Sequence, residues 1–151
     1  MPPGASRPTA AQLAEATKLK SSGNDAFVKG DFGAAFERFT EAMRVVGEAV
    51  AKESTSSAAR GGEKPDLAAV LFSNRAAACL GLSAHEQALD DAREAVERAP
   101  LWGKAHGRVG GAQLALREYA DAVEAFEAGL KVSPGSEALE RGLREAAAQL
   151  G

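Results

Sequence analysis

The chain contains two asparagines, Asn24 and Asn74, and each falls in the middle of a stretch that otherwise reads as helix, "LKSSGNDAF" and "LFSNRAAACL". Asn competes with the backbone for hydrogen bonds and is a poor helix former, so helix propensity selected neither. Lys20 stands four residues before Asn24, and Lys104 stands four before Arg108 in "LWGKAHGRVG". A separation of four places two side chains on one face of a helix. Lys offers a point charge, whereas the planar fork of Arg matches a carboxylate bidentately. Asn donates through its amide nitrogen while its oxygen receives from a peptide N–H. That mixture suits the C-terminus of a chain, where a carboxylate and a backbone amide lie close together. A phosphate or an acidic side chain would need the cations but not two helix-weakening amides.

The elements that must position these residues are helices. Of the 151 residues, 45% are apolar but only 5% aromatic, so the core is built from Ala, Leu and Val, which suit close helix–helix packing. The formal net charge of −3, from 18 basic and 21 acidic residues, gives no global attraction to nucleic acid or an anionic membrane. One cysteine, Cys79, excludes an internal disulfide and fits a reducing compartment. No apolar run approaches a membrane span, and the start "MPPGASRPTAAQ" lacks the apolar segment of a secretory signal. Residues 1–9 read as a disordered tail, and a monomeric cytoplasmic domain is expected, with no cofactor and no metal.

An internal repeat organises the helices. Ala88, Ala92, Ala95 and Pro100 align with Ala122, Phe126, Gly129 and Pro134, each pair offset by 34. This is the period of the tetratricopeptide repeat, a pair of helices whose later half carries A-x3-F followed by Pro. An earlier copy, "GDFGAAFERFTEAM", places Ala35 before Ala88 by 53 residues, which is 34 plus a 19-residue insertion. The spacing predicts helices over roughly 10–29, 33–52, 66–81, 85–98, 102–116, 119–132 and 136–149. They group as repeat one (12–52), an insertion loop (53–64), repeat two (66–100), repeat three (102–134) and a capping helix. The expected fold is all-α: a right-handed superhelical solenoid of three helix pairs plus that C-terminal cap, together spanning 10–150. Ser136 is a candidate N-cap of the last helix, and Leu139, Leu143 and Leu150 give it an apolar side. Phe32, Phe39, Tyr119 and Phe126 read as core. Gly23 and Gly110 read as sites of close helix approach. In such solenoids the first helix of each pair lines the concave side. Registering the repeats then turns Lys20, Asn24, Asn74, Lys104 and Arg108 inward.

These residues carry a resemblance. "LKSSGNDAF", "LFSNRAAACL" and "LWGKAHGRVG" resemble the carboxylate-clamp tetratricopeptide domains of heat-shock co-chaperones, whose pattern is Lys-x-x-x-Asn, Ser/Thr-Asn-Arg/Gln, then Lys-x-x-x-Arg on three successive first helices. The resemblance covers roughly residues 13–150 with no clamp position missing. It implies binding of the free C-terminal Glu-Glu-Val-Asp tail of the seventy- or ninety-kilodalton heat-shock chaperones. Lys20, Asn24, Asn74 and Lys104 would hold the terminal carboxylates, while Lys104 and Arg108 would reach an upstream carboxylate or backbone. Phe27 and Ala77 match positions lining the slot for the Val. Against the family pattern, Gly107, Gly110 and Gly111 should weaken the helix bearing Lys104 and Arg108, and Ala92 replaces a bulky aromatic, which thins the middle core.

Two other classes compete. An enzyme would need a nucleophile, a base and an orienting group together. His85 and His106 share no metal-ligand spacing with Cys79 or each other, Cys79 falls on a face expected to be buried, and "GRVGG" is a poor fragment of a nucleotide loop. A tetratricopeptide scaffold with a partner other than a chaperone would keep the solenoid but fill the groove differently.

Overall fold

The computed structural model describes residues 8–53 and 65–151. The expected tail up to residue 7 and the expected insertion loop from residue 54 to 64 lie outside the described residues. Within them are seven helices: α1 (Ala10–Val28), α2 (Phe32–Glu53), α3 (Leu67–Gly81), α4 (His85–Arg98), α5 (Gly103–Ala115), α6 (Tyr119–Val132) and α7 (Glu137–Leu150). Each helix packs on the next in the chain, and α3 also touches α1 and α5, while α5 touches α7. The odd-numbered helices therefore form one layer and the even-numbered helices the other.

Local chemistry sets the helix ends. Thr9 opens α1 with a capping box: its Oγ1 accepts from Gln12 N at 3.1 Å, and its own N donates to Gln12 Oε1 at 2.8 Å. Asp66 is the N-cap of α3, accepting from Ala69 N at 2.8 Å, so it stands one place outside the helix rather than in its first turn. Ser136 caps α7 by accepting from Leu139 N. Where a continuous second helix was expected to run toward Lys52, Gly47 takes φ +75° and ψ 171°. The backbone breaks there because only glycine enters that region without a Cβ penalty.

The ends of α1, α3 and α5 are alike. Gly30 N donates to Phe27 O and Asp31 N to Ala26 O; Ser83 N to Leu80 O and Ala84 N to Cys79 O; Arg117 N to Leu114 O and Glu118 N to Gln113 O. These are three Schellman motifs, which need one left-handed residue each. Gly30 supplies it at φ 83°, but Ser83 (φ 60°) and Arg117 (φ 64°) carry a Cβ there. Replacing either by glycine is expected to raise stability by about 0.5–1 kcal/mol. Thermal unfolding should shift upward by about 1–4 °C per substitution; a lower midpoint would contradict the motif.

The core consists of small side chains around a few rings. Ala16, Ala35, Phe39, Ala42 and Leu71 are sealed in the first two repeats, and Ala122, Phe126, Leu139 and Ala146 under the cap. A Cβ on Gly23 would lie 2.5 Å from Phe39 Cε1, and one on Gly110 would lie 2.7 Å from Phe126 Cζ. The first helices of repeats one and three thus each receive a ring from their partner where they have no side chain. The glycines of α5 lower its propensity yet let α6 and α7 approach, and the helix forms throughout. Phe32 and Tyr119 are half-buried rather than core, and Leu150 stays 58% exposed because α7 buries only Leu139 and Ala146.

The middle of the solenoid holds a charged cluster. Arg75 on α3 donates from Nε and Nη2 to the two carboxylate oxygens of Asp91 on α4, at 2.9 and 2.8 Å, and from Nη1 to Thr40 Oγ1 on α2 at 3.2 Å. Its guanidinium lies 5.4 Å from the ring centre of Phe36 and 5.9 Å from that of Phe72. One side chain therefore ties α2, α3 and α4 together, and Ala92, next to Asp91 along α4, is fully buried.

Candidate functional site

The concave layer carries the site. α1 buries only Ala16 and Gly23, so its other faces stay open. A cavity of about 380 Å³ lies between α1, α3 and α5, and all seven residues expected from the sequence line it: Lys20, Asn24 and Phe27 from α1, Asn74 and Ala77 from α3, Lys104 and Arg108 from α5. Val28, Phe39 and Val70 line it as well. The sequence reading missed Val28 and Val70, although the signal was there. Val28 stands four residues after Asn24 and Val70 four before Asn74, so each shares the face of an asparagine already placed inward. Val28 is 85% exposed, an apolar side chain left uncovered at the mouth.

The two asparagines meet across the helix interface. Asn74 Nδ2 donates to Asn24 Oδ1 at 3.1 Å. This pairing leaves the Asn24 amide nitrogen as a donor and the Asn74 oxygen as an acceptor. One can serve a carboxylate oxygen and the other a peptide N–H, which accounts for two poor helix formers in mid-helix.

The cations are held ready rather than neutralised. Arg108 donates from Nε to Ser73 Oγ at 3.2 Å, and among the described residues Lys20, Lys104 and Arg108 have no carboxylate partner. Burial lowers the pKa of Lys104, and the neighbouring Arg108 charge lowers it further; burial alone lowers that of Arg108. Both shifts mean that the empty site disfavours the charges it contains. An anion entering it would offset both the desolvation and the repulsion. Lys104 and Arg108 also line a second cavity of about 390 Å³, in front of Phe126 and Leu139, so the groove continues to the capping helix.

Other reactive groups are placed differently. Cys79 is fully buried, and burial foremost pushes its pKa up to about 11, so at neutral pH it is a thiol. His106 Nε2 sits 2.8 Å from Pro100 O, a contact that ties α5 to the turn before it. Among the described residues no group of His, Cys, Asp and Glu could hold a metal ion, and no helix is long and apolar enough to cross a membrane.

Stacked helix pairs of a 34-residue period, closed by an unpaired helix and open on the face of their first helices, define a tetratricopeptide-repeat domain. Its relatives include a heat-shock-protein-cognate co-chaperone, sgt12 of Aspergillus fumigatus, 32% identical over 131 residues, 85% of this chain and 33% of that protein. The chain is 36% identical over 143 residues to the small glutamine-rich tetratricopeptide repeat-containing protein 2 of Mycosarcoma maydis, matching 95% of this chain and 35% of that protein. It thus spans about a third of the length of that relative. Among solved structures, the Sgt2 tetratricopeptide domain of Aspergillus fumigatus superposes with a TM-score of 0.72 at 29% identity, over 95% of this chain and 82% of that one. The second such domain of human RPAP3, determined with the HSP70 peptide SGPTIEEVD, gives 0.69 at 26% identity, over 90% and 98%. No protein-family model matches the chain.

Proposed function

We propose that the domain is a docking module for the free C-terminal Glu-Glu-Val-Asp tail of seventy- or ninety-kilodalton heat-shock chaperones. The observation that carries this reading is the clustering on one cavity of two hydrogen-bonded amides and three cations that have no carboxylate partner among the described residues. Lys20, Asn24, Asn74 and Lys104 hold the terminal aspartate's two carboxylates. Lys104 and Arg108 reach the upstream carboxylate or backbone. Phe27 and Ala77, with Val28 and Val70 beside them, receive the valine. The HSP70 peptide bound by the RPAP3 domain ends in the same four residues, which supports the assignment. Catalysis is not part of this reading, which the buried, protonated Cys79 supports, and the domain acts as a cytoplasmic monomer within a co-chaperone. Repeat one (12–52), repeat two (66–100), repeat three (102–134) and the capping helix (136–149) form the binding unit.

A few charge-assisted bonds to a flexible peptide, less its ordering cost, give a dissociation constant on the order of micromolar, about −8 kcal/mol. Calorimetric titration should show such binding for a peptide ending in Glu-Glu-Val-Asp, its loss for the C-terminally amidated twin, and weakening as salt is added. If the folded domain binds neither peptide, the groove serves another ligand and the reading fails.

A further inference from the structure

Ser73 is fully buried in α3, immediately before Asn74. A serine inside a helix commonly faces solvent or bonds a carbonyl one turn back. Here its hydroxyl instead accepts from Arg108 Nε at 3.2 Å, across to α5. If this position only filled space between helices, alanine would serve it better, since alanine favours the helix and buries no polar atom. Most of the other buried residues of α3 are in fact alanine, namely Ala68, Ala69, Ala76, Ala77 and Ala78. The hydroxyl therefore has a role that an alanine could not fill.

The guanidinium explains what that role is. Its five N–H groups form a rigid fork with two edges that can grip a carboxylate, one made by Nε and a terminal nitrogen and one by the two terminal nitrogens. A bond at Nε fixes the plane and leaves the terminal nitrogens free in the cavity that Arg108 lines. A long flexible side chain ordered before the ligand arrives loses less entropy on binding. The next residue does the same on the other flank, because Asn74 bonds Asn24 of α1. Two consecutive residues of α3 thus hold one polar side chain from each neighbouring first helix.

We propose that Ser73 is a positioning residue, its hydroxyl pinning Arg108 Nε so that the guanidinium meets the ligand's carboxylate already oriented; this rests on the carboxylate-clamp reading above. The test is a double-mutant cycle on the affinity for a free-acid peptide ending in Glu-Glu-Val-Asp, using Ser73→Ala, Arg108→Ala and the pair. Alanine at this helical site keeps the fold, which circular dichroism verifies. Ser73→Ala is expected to weaken binding about five- to tenfold in the wild-type background, the size of the ordering cost of one long side chain at a binding site. It should do nothing further once Arg108 is alanine, a coupling that a purely structural role would not produce. In the unliganded protein, the Arg108 Nε–H resonance is expected to exchange slowly with solvent and to exchange faster in Ser73→Ala. An equal loss in both backgrounds, no loss in either, or an unchanged Nε–H signal overturns the role of Ser73 while the clamp stands. Failure of the wild-type domain to bind the peptide overturns the clamp reading and this one with it.

Discussion

Lys104→Ala is expected to weaken binding of a free-acid peptide ending in Glu-Glu-Val-Asp by roughly thirty-fold, about 2 kcal/mol, the usual scale for a hydrogen bond to a charged group at a desolvated site. Lys104 lines both cavities of the groove, and burial and Arg108 together already lower its pKa. The bound carboxylate therefore satisfies a charge that the empty fold disfavours. The salt dependence of binding should flatten in the same variant, because one of three groove cations is gone. Lys131, exposed on α6, lies outside both cavities, and Lys131→Ala serves as the control. Equal losses for the two variants, measured by calorimetry at two salt concentrations, would reduce the groove cations to general surface charge.

The largest effect on stability is expected from Asp91→Ala. Its carboxylate, 5% exposed, grips Arg75, 17% exposed, through two bonds below 3 Å. Their bond foremost raises the Arg75 pKa against the opposing effect of burial, so the carboxylate compensates the guanidinium for the hydration it loses on burial. Removing the carboxylate leaves that charge between Phe36 and Phe72 with Thr40 alone to accept from it. Breaking such a pair from one side costs about 3–5 kcal/mol, a large part of the roughly 5–15 kcal/mol that holds a domain together. A drop of about 10 °C or more in the unfolding midpoint follows for a chain of this size. Replacing Arg75 by Met at the same time should recover much of the loss, since no charge is then stranded. A midpoint within a degree or two of wild type for Asp91→Ala alone would show that the cluster contributes little.

Much of the site was legible in the residues because its signals are one-dimensional. Lys20 with Asn24 and Lys104 with Arg108 are spaced by one helical turn, and the 34-residue offset tells which face each occupies. The same rule reaches Val28 and Val70, which were overlooked because a single aliphatic residue in a helix is unremarked unless its polar neighbour is used as the reference. Ser73 falls in the Ser/Thr-Asn-Arg/Gln pattern, but its bond to Arg108 was not legible: its partner lies 35 residues away, and no spacing within one helix marks it. The expectation of a weakened α5 counted each glycine against propensity. It lacked the other half of the balance, the side chains of α3, α6 and α7 that face those glycines.

The amino-acid sequence by itself determined the helices, their pairing and the inward face of each first helix, since apolar period and repeat length follow from order along the chain. Only the tertiary structure decided that Asn74 donates to Asn24, that Ser73 holds Arg108, that Arg75 joins three helices through Asp91 and Thr40, and that α2 breaks at Gly47. The contacts between helices depend on how closely the backbones approach and at what angle. That is set by where glycine and alanine let rings such as Phe39 and Phe126 come near, a property of pairs of helices that no single helix carries.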